Sequence, residues 1–148
     1  MFIRRLNTGS DLSAIITGCP NGTETNYLIA DNPKKELERL AYFANKKINE
    51  GVEAFLKVKY EWDLGQRARI IEIVTKEDEI VTIYKFVKET NFDQHILDLN
   101  RIKENICETN IIEKNNLQIC IIVSNEKTRE KLKNLVSELG IECKIETL

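Results

Sequence analysis

The spacing of apolar positions changes several times along the chain, and each change marks an element. Short β-branched and aromatic runs at residues 2–6, 12–17 and 27–30 predict three short strands. Gly9-Ser10, Gly18-Cys19-Pro20-Asn21-Gly22 and residues 23–26 supply turn chemistry between them. Asp31-Asn32-Pro33 then offers a cap followed by a proline at the first helical position, and Leu37, Leu40, Ala41, Ala44 and Ile48 recur at helical spacing until Gly51, which predicts a helix. From Ala54 to Val87 the period drops to two. Leu56, Val58, Tyr60 and Trp62 alternate with Lys57, Lys59 and Glu61, and two further β-rich runs follow at residues 67–74 and 79–87. Turns fit Asp63-Leu64-Gly65 and Lys76-Glu77-Asp78, links too short for a parallel crossover, so the three runs predict an antiparallel β-meander.

Asn91 with Gln94 three residues later has the form of a capping pair, and Phe92, Ile96, Leu99, Ile102 and Ile106 share one helical face through about Glu108. After the polar break Glu113-Lys114-Asn115-Asn116, residues 117–123 are almost continuously apolar, as in a central strand. Ser124-Asn125 can cap a helix carrying Leu132, Leu135, Val136 and Leu139, Gly140 stops it, and Ile141, Cys143 and Ile145 alternate with Glu142, Lys144 and Glu146 as in a strand nearer an edge. Strand, helix and strand within about 30 residues predict a right-handed βαβ unit. The expected class is α/β, with α+β as the alternative: a mixed sheet with a central antiparallel meander, flanking helices and a C-terminal βαβ unit.

Composition narrows the picture. With 148 residues the chain fits one domain, 1–148, able to bury about two-thirds of its unfolded surface, and no linker, repeat or low-complexity segment interrupts it. Lys and Arg number 22 against 24 Asp and Glu, a net charge of −2, so wholesale attraction to nucleic acid or an anionic membrane is not expected. No apolar run approaches the roughly 20 residues of a membrane span. The start of the chain turns polar at Asn7-Thr8-Gly9-Ser10 without the apolar core of a signal peptide, which fits a cytoplasmic protein. Abundant Ile, Asn and Lys are the bias of an AT-rich coding sequence, as in a low-GC bacterium or its phages and mobile elements. The four cysteines, Cys19, Cys107, Cys120 and Cys143, are far apart, with His95 as the sole imidazole, so neither a zinc site nor any other metal site is expected. Scattered thiols of this kind fit a reducing compartment.

Candidate chemistry is sparse. The junction formed by Ser124, Asn125, Lys127, Thr128 and Arg129 lies where a buried strand enters a helix, and free amides there can hold a phosphate or carboxylate. The plainer account is a capped, solvated helix start, because the chain has no glycine-rich loop and no GxxxxGK[ST]; no cofactor is expected. A second candidate is a nucleic-acid surface made by Lys57, Lys59, Arg67 and Arg69 on adjacent strands beside Tyr60 and Trp62, with bases stacking and cations tracking phosphates. Against it, strand alternation turns the aromatics to the core and the lysines to water. Glu142-Cys143-Lys144 has the acid-x-lysine half of a metal-dependent nuclease motif, but the preceding strand offers no carboxylate. Glu61, Asp63 and Glu72 form an acidic set without a paired lysine or histidine. A pairing of Cys19 with His95 would be needed for thiol nucleophilic catalysis, and nothing in the spacing requires it. The other three cysteines fall on apolar faces, as small core hydrophobes do.

Ile119-Cys120-Ile121-Ile122-Val123-Ser124-Asn125 and Leu135-Val136-Ser137-Glu138-Leu139-Gly140-Ile141-Glu142 resemble the second RecA-like domain of UvrD/Rep-type helicases, where a strand "IAILVRTN" is followed by a helix and "GIPY". Upstream, residues 40–48, Leu40-Ala41-Tyr42-Phe43-Ala44-Asn45-Lys46-Lys47-Ile48, look like that domain's "ILxxANxxI" helix. The chain lacks the family's Walker lysine, acidic metal motif and nucleotide-contacting arginine. The resemblance therefore implies a non-hydrolysing relative that binds a helicase, DNA or another partner, and it carries over no site residues.

Absence of a catalytic set makes a small non-catalytic interaction protein with a protein partner the leading expectation, as an accessory, defence or mobile-element factor. A nucleotide or anionic small-ligand binder, or an enzyme, using residues 124–129 is the first alternative, and nucleic-acid binding through the meander the second. An exposed meander edge or the terminal strand at residues 141–147 also makes a homodimer reasonable.

Overall fold

The first strand, β1 (Phe2–Thr8), is followed by helix α1 (Leu12–Thr17), strand β2 (Thr23–Ile29), helix α2 (Glu36–Asn49), and strands β3 (Glu53–Tyr60) and β4 (Arg69–Glu77). Strand β5 (Ile80–Phe86) precedes helix α3 (Phe92–Glu108), a short 3₁₀ turn at Lys114–Asn116, strand β6 (Leu117–Val123), helix α4 (Glu126–Leu139) and strand β7 (Lys144–Thr147). This computed structural model describes residues 1–61, 69–88 and 91–148. The chain divides into two compact units, Met1–Val81 and Thr82–Leu148. Among the described residues no helix is long and apolar enough to cross a membrane.

In the first unit the strands lie in the order β2-β1-β3-β4. Strand β1 runs antiparallel to β2, from Phe2 opposite Ile29 to Thr8 opposite Thr23, and parallel to β3 through Asn7 opposite Phe55. The β3–β4 pair is antiparallel, as the meander requires, with Leu56 opposite Ile73 and Tyr60 opposite Arg69. Because partners across a ladder share a face, Leu6, Leu56 and Ile73 lie on one side, and Ile3, Asn7, Phe55 and Lys57 on the other. Helix α2 covers the Leu6 side with buried Leu40, Ala41, Phe43 and Ala44, and Arg4 on that side donates to Asn45 and Asn49 of the helix. Helix α1 covers part of the other side, where Lys76 Nζ donates to the Ile15 carbonyl at 3.1 Å.

Residues 12–17 form a helix and not the expected strand. Leu12 and Ile15, three apart, are both fully buried, and Gly18 closes the helix at φ 90°, its amide directed at the carbonyls of Ala14 and Ile15. One buried helical face plus a glycine terminator outweighs the β propensity of Ile15-Ile16. Residues 23–26, expected as a turn, are strand: Thr25 pairs with Leu6 and Glu24 with Asn7. The turn chemistry is confined to residues 18–22. It ends at Gly22, whose amide donates to Ser10 Oγ at 2.7 Å and where a side chain would meet the Thr8 carbonyl at 2.6 Å. Helix α2 also begins three residues beyond Pro33, since Lys35 remains extended and the Glu38 carboxylate accepts the Lys34 amide at 3.3 Å. Gly51 terminates it as expected, at φ 87°.

The second unit has the order β5-β6-β7, with β6 and β7 parallel from Cys120 opposite Lys144 to Val123 opposite Thr147, the arrangement expected of a βαβ unit. The ladder hydrogen bonds extend past both flanking strands, Val87 N–H to the Ile122 carbonyl and Leu148 N–H to that of Val123, each at 3.0 Å. Helices α3 and α4 both pack on β6, which is buried at six of its seven positions, and the class is mixed α/β. Asn91 stands at φ 58° without a side-chain cap, so the expected Asn91–Gln94 capping pair does not form. Ile96, Leu99, Ile102 and Ile106 are buried as the helical spacing predicts, and Lys103 is buried among them.

The helical assignment of residues 12–17 has a direct test. Ile15→Ala is expected to cost about 2–5 kcal/mol, the usual range for emptying a core site, and half-buried Ile16→Ala clearly less, both read by denaturant unfolding. Comparable costs at Leu12, Ala14 and Ile16, with Ile15 tolerant, would restore the strand.

Candidate functional site

The helix start proposed as an anion site is largely occupied by its own capping. Asn125 is the N-cap of α4, and its side-chain oxygen accepts the Thr128 amide at 2.9 Å. Thr128 is buried, while Arg129 turns back toward β7, its Nε donating to the Ile145 carbonyl at 3.2 Å and its guanidinium pairing with Glu126 at 3.3 Å. Only Ser124, Asn125 and Lys127 of the five candidates are exposed, and Glu126 adds a negative charge to the same turn. A carboxylate at a helix N-terminus already offsets the positive end of the dipole. The arrangement does the chemistry of a self-satisfied cap.

The basic candidates of the meander divide between two faces. Tyr60 pairs with Arg69 and Lys59 with Ile70, so Lys57 and Lys59 share a side with Ile70, while Tyr60, Val58 and Arg69 share the other. Tyr60 is buried at 6% exposure and therefore presents no ring beside Lys57 and Lys59, both of which are exposed. Arg67, Trp62 and Asp63 lie outside the described residues.

The thiols are placed as packing groups or surface groups. Cys120 is buried in β6, and burial pushes the Cys143 thiol up to about 11, overriding the opposing influences of the Ile121 backbone and the Lys103 cation. Burial likewise raises Cys107 above the ordinary thiol value. Cys19 is exposed directly after the Gly18 terminator of α1. His95 sits on α3 near the Lys85–Asp98 ion pair, 3.5 Å long. Among the described residues, no group of three His, Cys, Asp or Glu side chains is placed to hold a metal ion.

One surface was not visible in the sequence because residues 23–26 read there as a turn. Strand β2 ends the strand order of the first unit, and among the described residues no strand pairs with its outer edge. Its residues, Thr23-Glu24-Thr25-Asn26-Tyr27-Leu28-Ile29, include neither lysine nor proline, the usual guards of an open edge. Tyr27 and Ile29 are buried on the α2 side. On the opposite side Leu28 and its cross-strand partner Ile3 are 44% and 68% exposed, forming an apolar pair across the edge strand and its neighbour, with Arg5 opposite Asn26 next along the ladder.

His95 yields a pH prediction, helped by being the chain's single histidine. Partial burial, and then the Lys85 cation, lower its proton affinity, with Asp98 opposing them. The folded chain thus binds this proton more weakly than the unfolded one. Its contribution to stability is present above the ordinary histidine value and is lost as pH falls through that value toward the lower folded one. An NMR titration should place the midpoint below the ordinary 6.5, and Lys85→Gln should move it upward. A midpoint at or above 6.5 would remove the assigned surroundings.

Comparisons of this chain with protein-family models, with curated proteins and with solved structures each find no match.

Proposed function

We propose that the chain is a non-catalytic interaction protein that binds a protein partner by strand addition along β2. The observation that carries this reading is the unguarded β2 edge beside the exposed Ile3–Leu28 pair. An extended segment laid against β2 gains main-chain hydrogen bonds from the unpaired edge groups, and its alternate side chains extend one face of the ladder. On the open face the next residues would lie beside Leu28, Asn26 and Glu24. The complementary partner is therefore a strand with an apolar residue near Leu28 and a basic or neutral one near Glu24. The α4 start and the Lys57–Lys59 pair support the alternatives less well, the first because its capping consumes an amide and Arg129, the second because no described ring stacks beside the lysines.

Leu28→Lys and Ile3→Lys place gatekeeping charges on this exposed surface, where substitution usually changes stability by no more than about 0.5 kcal/mol. Tagged wild-type chain, drawn from nuclease-treated lysate of its source, should retain a stoichiometric protein that both variants lose at least about tenfold. Amide exchange at residues 23–29 should slow in the complex. Recovery undiminished by both substitutions, or unchanged exchange along β2, overturns the reading. A concentration-dependent dimer in sedimentation, lost in both variants, would identify the partner as a second copy.

A further inference from the structure

Helix α3 carries an anomaly in its buried stripe. Ile96, Leu99, Lys103 and Ile106 follow at spacings of three and four, and Lys103, at only 6% exposure, fills a place where packing alone calls for a hydrophobe. Among the described residues its ammonium forms neither a hydrogen bond nor an ion pair, yet it is not one of the sealed, unpartnered polar atoms, so it keeps an edge open to solvent. A lysine buried without a partner lowers stability, and lysines are almost never so placed. Positions that break a packing rule in this way are concentrated at functional sites.

The surroundings indicate what the open edge serves. Lys103, Ile141 and Glu142 line two depressions in common, placing the lysine where they meet. The larger, about 1000 Å³, runs along the end of α3 and residues 110–115, and Glu104, Glu108 and Glu113 join Glu142 in its wall. The smaller, about 360 Å³, adds the apolar Ile119 and Val136, with Gln118, Cys143 and Lys144 beside them. Both volumes fall in the range of small-molecule sites. The larger depression also adjoins the C-terminal ends of α3 and α4, whose dipoles are negative there. Neither Cys107 nor Cys143 supplies an anion to Lys103, because burial keeps both thiols protonated.

From this arrangement we infer that Lys103 is the anion-binding group of a site for a free amino acid or a similar small zwitterion. The carboxylate meets the Lys103 ammonium, the amino group meets the glutamates of the wall, and an apolar side chain enters the smaller depression. The wall of the larger depression carries four carboxylates against two lysines, Lys103 and Lys114, so an anion alone would meet an excess of negative charge and a cation alone would leave the buried Lys103 unanswered; a ligand with both charges satisfies both. This site lies in the second unit and does not depend on the strand-addition reading.

The test is amide NMR of the whole chain titrated with the twenty amino acids, with inorganic phosphate and spermidine as anion-only and cation-only probes. At least one amino acid should shift signals at residues 102–108 and 141–144, and Lys103→Met should weaken that binding by at least about tenfold, the effect of losing a charged hydrogen bond. The same substitution should leave the melting temperature unchanged or raise it, since it restores the apolar stripe. Glu113→Gln with Glu142→Gln provides a second variant, expected to fold normally and bind more weakly. The inference is overturned if no amino acid shifts these signals, if phosphate or spermidine shifts them equally well, or if Lys103→Met binds as wild type does.

Discussion

The architecture depends on covering strands that are apolar on both faces. Neither side of such a strand can remain in water, and in this fold helices do the covering. In the second unit the requirement is fully met, since α3 and α4 both pack on β6. In the first it is met unevenly. Helix α2, with 14 residues, packs on all four strands of the unit, whereas α1 has six and touches the opposite face at β3 and Lys76. That shortfall leaves Ile3 and Leu28 exposed and makes β2 the open side of the unit.

The polar residues follow the same economy. Asn125 and Arg129, which look in isolation like ligand-binding groups, are drawn into closing α4 and tying it to β7. A helix start needs its amides satisfied whether or not a ligand is ever bound, so capping chemistry and anion-binding chemistry use the same residue types. Lys103 is the opposite case. It sits where folding asks for an apolar side chain, and no described residue forms a hydrogen bond or ion pair with it. Groups that folding consumes say little about function, while a group that folding would sooner exclude says more.

Legibility in the sequence followed the range of the interactions involved. Helices α2 and α3 and the β6-α4-β7 unit were readable because one helical face or one continuous apolar run fixes each locally, and Gly51 and Gly140 both adopt the positive φ expected of helix terminators. Residues 12–17 were not, because six residues cannot display enough of a period to separate a helix from a strand; only the burial of Leu12 and Ile15 together does so. The same limit hid β2, whose Thr-Glu-Thr-Asn start is turn-like until Leu6 and Asn7 are placed opposite it. Helix starts were the least accurate feature: Pro33 precedes α2 without starting it, and Asn91 adopts a left-handed conformation instead of lending its side chain as a cap.

By itself the sequence determined the mixed α/β class, the alternation that buries Tyr60 and exposes Lys57 and Lys59, and the double-sided burial of β6, all of which are set by side-chain period within a single element. Tertiary structure decided what depends on register and on neighbouring elements. Arg69 shares a face with Tyr60 and not with Lys59 because the β3–β4 pairing places them so, and β2 is an edge because of strand order. Lys103 occupies a stripe position of α3, but that the stripe is covered there, by Val136 of α4 and residues 141–144, is decided by the packing of those elements. A one-residue change of register would reverse the faces without altering any local propensity, which is why those features belong to the fold and not to the string of residues.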